Sequence, residues 1–401
     1  GDGSNFNHVV LAGTAEGVVL DVNRNTVMGD LTDSGEGADL NIGSGATLTI
    51  NDASSLSAST IQGSGTLALH DTLALSGTAS LQGGVLLDLV KNGDSTGTLD
   101  LGSTTGNTVA GISGQGTLKS NGGALAVNTG NSGSGSVFSG TLEGRGQLNI
   151  SGNAGQTLEN VITAAGSNWV INNTGRLNIK MGGTVEDPRA NTALTLSSLT
   201  LGDGSSTNLT FTDYAGPIIS VTGNISISQG AEITLSSTGR NELTLGADGS
   251  YTLMHADGTI DLGGSDRLAI LLDPSSSAFK KFENNAYLVM ENGNLVLVAT
   301  ASKDNKYARI ADTVNSRAGA ELLWNLPGDL AADSILKKVD DAVGALTSSN
   351  PSEAKRVMAA VAGSTVNALG TAQKDALRDQ MGWIRNRTTL MGVNPAYVND
   401  D

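Results

Sequence analysis

Short alternating segments dominate the first 240 residues. Leu40-Asn-Ile42, Leu48-Thr-Ile50, Leu67-Ala-Leu69, Leu73-Ala-Leu75, Leu148-Asn-Ile150, Leu194-Thr-Leu196, Leu199-Thr-Leu201 and Ile225-Ser-Ile227 each set two apolar residues around a polar or small one. Such alternation sends one row of side chains inward and the other outward. The runs are bounded by Gly, Asn, Ser or Asp, residues that tolerate tight corners. Three short strands joined by sharp corners make one coil of a parallel β-helix. A phrase of the form [IL]-x-G-x-G-x-L recurs at Ile61–Leu67, Ile112–Leu118 and Leu142–Leu148, at intervals of 51 and 30 residues. Self-similarity on this scale marks stacked architectures, and a solenoid absorbs unequal spacing as loops protruding from single coils. An antiparallel sandwich calls for longer strands and two-residue hairpin turns. At roughly 20–25 residues per coil, about 12–15 coils are expected over the first 300 residues, in a rod on the order of 60–70 Å long.

The pattern changes towards the C-terminus. Leu243-Thr-Leu245, Tyr251–Met254, Leu268–Leu272, Tyr287–Met290 and Leu295–Val298 are longer and more apolar, and read as closing coils that seal the end of the stack. From about residue 303 the period becomes helical. Ile310, Val314, Ala318 and Leu322 recur every four residues before Pro327, and Ile335, Val339, Val343 and Leu346 form a second stripe. Asn350-Pro-Ser-Glu353 reads as a capped helix start with the glutamate reaching back. Val357, Val361 and Ala368 continue that face, and Leu377, Ile384 and Leu390 suggest a further helix. The expected fold is all-β: a right-handed, single-stranded parallel β-helix with a C-terminal α-helical region. Its parts are a β-helix over 1–240, capping coils over 241–302 and helices over 303–401.

Composition favours the same elongated form. Among 401 residues there are 54 Gly but only 5 Phe, 5 Tyr and 3 Trp, so the core must be built from thin layers of aliphatic side chains. Cys is absent, which leaves no disulfide to lock a loop before export. The net charge of −16 falls entirely on residues 1–300, which hold 11 Lys and Arg against 27 Asp and Glu. That surface repels nucleic acid, which is excluded as a partner, and it argues against anionic glycans held by charge alone unless calcium bridges them.

Two C-terminal stretches carry a family resemblance. Ala359-Ala-Val-Ala-Gly-Ser-Thr-Val-Asn-Ala-Leu369, followed by Ala376-Leu-Arg-Asp-Gln-Met-Gly-Trp-Ile-Arg-Asn-Arg387, resembles the segment that precedes the translocator barrel of type V autotransporters of the pertactin-like class. Gly249-Ser-Tyr-Thr-Leu-Met254 and Tyr287–Leu297 resemble the closing end of their passengers. The resemblance is specific over about 245–391 and only textural before that. It implies a passenger displayed at the cell surface or outside the cell, anchored by its own outer-membrane β-barrel C-terminal to this chain. By the same resemblance Leu377, Arg378, Trp383, Ile384, Arg385 and Arg387 belong to a helix threading the barrel lumen. There is no Asn-Asn pair in 371–391, so release by the cleavage some exported proteases use is not expected.

Candidate chemistry is sparse. His8, His70 and His255 stand far apart with no metal-binding spacing. Thr32-Asp-Ser-Gly35 is the nearest phrase to a serine-protease nucleophile, but it leaves no room upstream for two barrels. Asp257, Asp261 and Asp266 form the densest acidic set, with Asp257 and Asp261 on one face if their strand is unbroken; Gly263-Gly-Ser-Asp266 echoes part of a calcium-binding repeat. Calcium is therefore the one ion suggested, and no catalytic group or other cofactor is expected. Trp169 and Tyr214 are the candidate ligand contacts. The expected function is non-enzymatic adhesion or self-association through arrays of Asn, Thr and Ser along one face, with like molecules on other cells or host surface glycans and proteins as partners. A glycan-active β-helix enzyme and a stalk presenting a domain before residue 1 are the alternatives.

Overall fold

The computed structural model describes residues 4–12, 19–35, 37–130, 135–182, 193–211, 217–237, 250–273, 276, 279, 282–301, 307, 310–311, 313–324 and 335–361. About 56% of the residues are in strands and 11% in helix. The chain divides into two units, residues 1–300 and 301–401.

The first unit is a parallel β-solenoid of about nine turns. Strands Asp39–Ile42, Thr47–Ile50 and Ser54–Leu56 follow one another around the stack, and Thr60–Gly63, Thr66–Leu69 and Thr72–Leu75 repeat them one level on. Partners are parallel and in register: Leu40 faces Ile61, Leu48 faces Leu67, and Ser54 faces Leu73. We call the face holding Thr47–Ile50 face 1, that holding Ser54–Leu56 face 2 and that holding Asp39–Ile42 face 3. Inward positions align in columns. One on face 1 runs Ile50, Leu69, Leu89, Gly114, Phe138, Leu158, Ile179, Leu209, Leu235, Leu272. The largest side chain of the column, Phe138, follows its glycine, and its ring lies 2.6 Å from where a Cβ on Gly140 would stand. These residues, apart from Gly114, are buried. Burying each such aliphatic side chain is worth about 1.5–3 kcal/mol, and the columns join into one continuous core.

Coils are larger and fewer than the 12–15 expected. Thr47 meets Thr66 after 19 residues, but Arg176 meets Ser206 after 30 and Leu235 meets Leu272 after 37. Nine turns stacked about 4.8 Å apart span roughly 43 Å, short of the 60–70 Å expected.

The recurring glycine phrase is a corner, and its spacing is unrelated to the coil period. Ile61–Leu67 turns from face 3 to face 1, Ile112–Leu118 from face 1 to face 2, and Leu142–Leu148 from face 2 to face 3. In each, the first glycine takes a left-handed backbone: φ is 118° at Gly63, 93° at Gly114 and 79° at Gly144. The second has no room for a side chain. A Cβ on Gly65 would lie 2.5 Å from the Ala46 carbonyl oxygen, one on Gly116 2.0 Å from that of Gly97, and one on Gly146 2.6 Å from the Trp169 ring.

Two side-chain amides replace backbone pairing where the ladder opens. Asn107 accepts the Leu81 N–H through Oδ1 and donates through Nδ2 to Thr104 and Ala124. Gln156, fully buried, accepts the Ile112 N–H at 2.9 Å and donates to the Ile112 carbonyl at 2.9 Å and that of Ser136 at 3.2 Å. It thereby reaches past the coil of Ser136–Phe138 to the one before it.

The stack closes by reversal. Phe282–Glu291 pairs antiparallel with Arg267–Leu272, and Asn294–Ala301 antiparallel with Ser250–Ala256. Between these strands Asn292 and Gly293 sit at φ 49° and 77°, the geometry of a tight two-residue turn. The expected further parallel coils at 287–298 are thus corrected: a parallel continuation would leave the last edges open, whereas returning strands cover them. Leu243–Leu245 lies outside the described residues.

The second unit is helical where described. Helix α1, Val314–Trp324, starts one turn later than the stripe from Ile310 suggested, because Thr313 caps it: its Oγ1 accepts the Ser316 N–H while the Ser316 hydroxyl accepts the Thr313 N–H. Helix α2 spans Ile335–Ser349, and residues 351–361 are helical after the Asn350 cap. Glu353 pairs with Arg356 at 2.6 Å instead of reaching back. Tyr307, Ala320, Leu323, Val343, Ala354 and Met358 form a separate core. Within it the Tyr307 hydroxyl donates to the buried Asp340 carboxylate at 2.9 Å. Burial, then the nearby Asp340 charge, push the phenol pKa upward.

Candidate functional site

Of the two candidate ligand contacts, Trp169 and Tyr214, only Trp169 is among the described residues. Trp169 is fully buried, its ring against Gly146 and its indole N–H donating to the Glu143 carbonyl, so it presents no face to a ligand. Tyr214, Leu377, Arg378, Trp383, Ile384, Arg385 and Arg387 lie outside the described residues. The acidic trio does not converge. The strand carrying Thr252–Ala256 ends before Asp257, and Asp261 sits on the next strand, Ile260–Asp261, on face 3. Glycine at 258 breaks the strand, so the shared face expected for Asp257 and Asp261 does not exist. The Asp257 carboxylate accepts from His255, and that of Asp261 accepts the N–H groups of Gly263 and Gly264; Asp266 is exposed. Among the described residues no group of three or more His, Asp or Glu side chains is placed to hold a metal ion.

The phrase Thr32-Asp-Ser-Gly35 serves a structural end. The Asp33 carboxylate receives the backbone N–H groups of Ser57, Ala58 and Ser59 and the Ser57 hydroxyl, at 2.7–2.9 Å, and so ties one corner to the next. Burial alone would raise its pKa. The four donors together outweigh that and bring it down to about 2.

Residues whose side chains do come together lie on the outside of face 1. Because strands are in register, every second residue stacks into an outward row: Thr157, Asn178, Asn208, Thr234. Beside it runs a second row, Glu159, Lys180, Thr210, Ser236, of which Thr210 and Ser236 are buried and only the first two reach the surface. Within these rows Asn178 donates to Thr157 at 3.2 Å, Ser236 donates to Asn208 at 3.0 Å, and Lys180 pairs with Glu159 at 2.6 Å. A groove of about 430 Å³ opens here, lined by Gly135, Ala154 and Arg176 together with Thr157, Asn178, Ser206, Asn208 and Thr234. That volume falls within the ~300–1,000 Å³ of small-ligand sites. Gly135 contributes no side chain to the lining, and the Arg176 stem lies over Gly155, about 3.2 Å from where a Cβ would stand. Sequence reading expected a polar array but not where it becomes concave. The signal was a run of outward Thr and Asn in four consecutive face 1 strands, with glycines just ahead of Gln156.

The chain was compared with protein-family models, with curated proteins and with solved structures, and none of them matches it.

Proposed function

We propose that this chain is the exposed passenger of a type V autotransporter, non-enzymatic, acting in adhesion or self-association through the outer rows of face 1. The observation that carries the reading is the groove and its rows: in-register Thr, Asn and Ser over four successive strands. Stacked at one fixed spacing, such groups make many individually weak hydrogen bonds that add up when two surfaces meet in parallel. The lining consists of amides, hydroxyls, glycine, alanine and one guanidinium. That set suits contact with a hydroxyl-rich surface, whereas glycosidic cleavage calls for a pair of carboxylates. The solenoid fold is compatible with a passenger, and the C-terminal resemblance supplies the barrel anchor and the surface location.

The test is display of the chain on bacteria through an outer-membrane barrel, with settling and attachment to glycan-coated surfaces scored against barrel-only cells. Clumping or attachment that falls when Asn178→Ala and Asn208→Ala are combined supports the reading. Cells that neither settle nor attach overturn it.

A further inference from the structure

We infer that the face 1 groove binds the carboxylate of an acidic saccharide, with Arg176 as the charged contact. The inference rests on the reading of face 1 as a contact surface and names what it contacts. Net charge makes this chain a poor candidate for an anionic ligand, since 39 acids outnumber 23 Lys and Arg. The groove departs from that average. On the same face Lys180 is already engaged by Glu159; away from it, Lys119 on face 2 lies between Asp100 and Glu143, and Arg145 is held by the Asn121 amide. Arg176 is exposed, and among the described residues its guanidinium has neither an ion-pair nor a hydrogen-bond partner.

Position isolates it from the acids further on. Its stem leans over Gly155, on the preceding coil, while Glu232 lies two rungs the other way, opposite Ser206. Two rungs are about 10 Å, and exposed charges that far apart are largely screened at physiological salt. Glu159 is neutralised by Lys180. The groove lining itself thus carries a single charge, positive, on an acidic rod.

The remaining lining sets the rest of the ligand. The Asn178 amide uses one N–H on Thr157, and Asn208 uses its carbonyl oxygen on Ser236. Among the described residues the Asn178 carbonyl and the Asn208 N–H groups have no other partner, and the hydroxyls of Ser206 and Thr234 lie beside them in the lining. Alternating donors and acceptors match sugar hydroxyls, which do both. An acidic peptide would bring apolar side chains for which this lining has little to offer. A guanidinium presents parallel donors to both oxygens of a carboxylate, a contact that Lys does not reproduce.

The test is calorimetric titration of the whole 401-residue chain with two matched pairs: trigalacturonate against its methyl ester, and sialyllactose against lactose. The two pairs distinguish a uronate source from a sialic acid source. The acidic member of at least one pair should bind about 10-fold or more tightly than its neutral partner, the scale of a charge-assisted contact. Arg176→Gln should erase that ratio and Arg176→Lys restore part of it, with circular dichroism unchanged; Asn172→Ala, on face 3, should leave it intact. Equal binding within both pairs, or a ratio that survives Arg176→Gln, overturns the inference. So does a dimer in sedimentation that Arg176→Gln abolishes without any sugar discrimination, which would put a carboxylate of a second copy in the groove. Displaying cells that settle or attach while neither pair discriminates sink this inference alone. Discrimination in the titration, together with displaying cells that neither settle nor attach, sinks the adhesive reading instead.

Discussion

The two ends of the solenoid are built in opposite ways. At the first coil, strand Ser4–Leu11 pairs with Thr26–Asp33 on one side only among the described residues, and Phe6, Val10, Val19 and Leu20 are 38–49% exposed. At the last, antiparallel strands return over the stack and bury Ala286, Leu288, Leu295 and Leu297. A coil in the middle is stabilised by neighbours above and below, and an end coil by one neighbour unless something else covers it. Reversing the chain covers the edge with strands that offer no further parallel ladder. The difference teaches that resistance to unfolding should be graded along the stack, strong at the closed end and weak at the open one.

Truncation at the closed end should cost most. Leu288→Ala or Leu297→Ala is expected to remove about 2–5 kcal/mol, read from urea midpoints, because both side chains are fully buried. A loss below 1 kcal/mol would show that the returning strands add little. Near the open end, acid should act through Asp33. Its pKa is lower folded, about 2, than unfolded, about 3.9, so its contribution is present in full above pH 4 and is lost as pH falls towards 2. Because the carboxylate is only partly buried, solvent screening cuts the effect, and the wild type should lose about 1 kcal/mol over that window relative to Asp33→Asn, measured by denaturation at stepped pH.

Smaller effects sharpen the contrast. Gly293→Ala forces a side chain into the left-handed region and within 2.9 Å of the Ala256 carbonyl; about 1–2 kcal/mol should be lost at the closed end. Leu20→Lys at the open end should stay within about 0.5 kcal/mol, since the side chain is 38% exposed. Finally, His255 should titrate above its usual value, because Asn294 and then Asp257 accept from its two ring nitrogens. That contribution is present below the unfolded pKa and fades as pH rises through the folded one. Alkali should therefore loosen the closed end slightly where acid loosens the coil clamped by Asp33, and an NMR titration of His255 at or below its ordinary pKa would remove half of this contrast.

Strand positions were legible because the alternation of buried aliphatic and outward polar residues is local: Leu48-Thr-Ile50 or Leu199-Thr-Leu201 can be read in isolation. Coil number was not. The repeated glycine phrase is easy to see, but it marks any of three corners, so its intervals carry no period. The reversal is marked by Asn292-Gly293, a two-residue turn signal, but the flanking strands are as apolar as a buried parallel coil would be, so the pattern does not tell the two apart. The groove was hidden for another reason. Its lining brings together residues from successive coils, Thr157 to Thr234, that are 77 residues apart in sequence. Trp169 drew attention as a rare aromatic, yet only the three-dimensional neighbour Gly146 reveals that its ring is enclosed.

Gln156 bears on how such a rod comes apart. In a stack whose coils touch only their immediate neighbours, each level can peel away independently, as in a chain of weakly linked domino pairs. A buried amide that grips Ile112 from two levels away adds a next-nearest link. Opening any level between 112 and 156 then means breaking that staple as well, next to Thr157, where the groove begins.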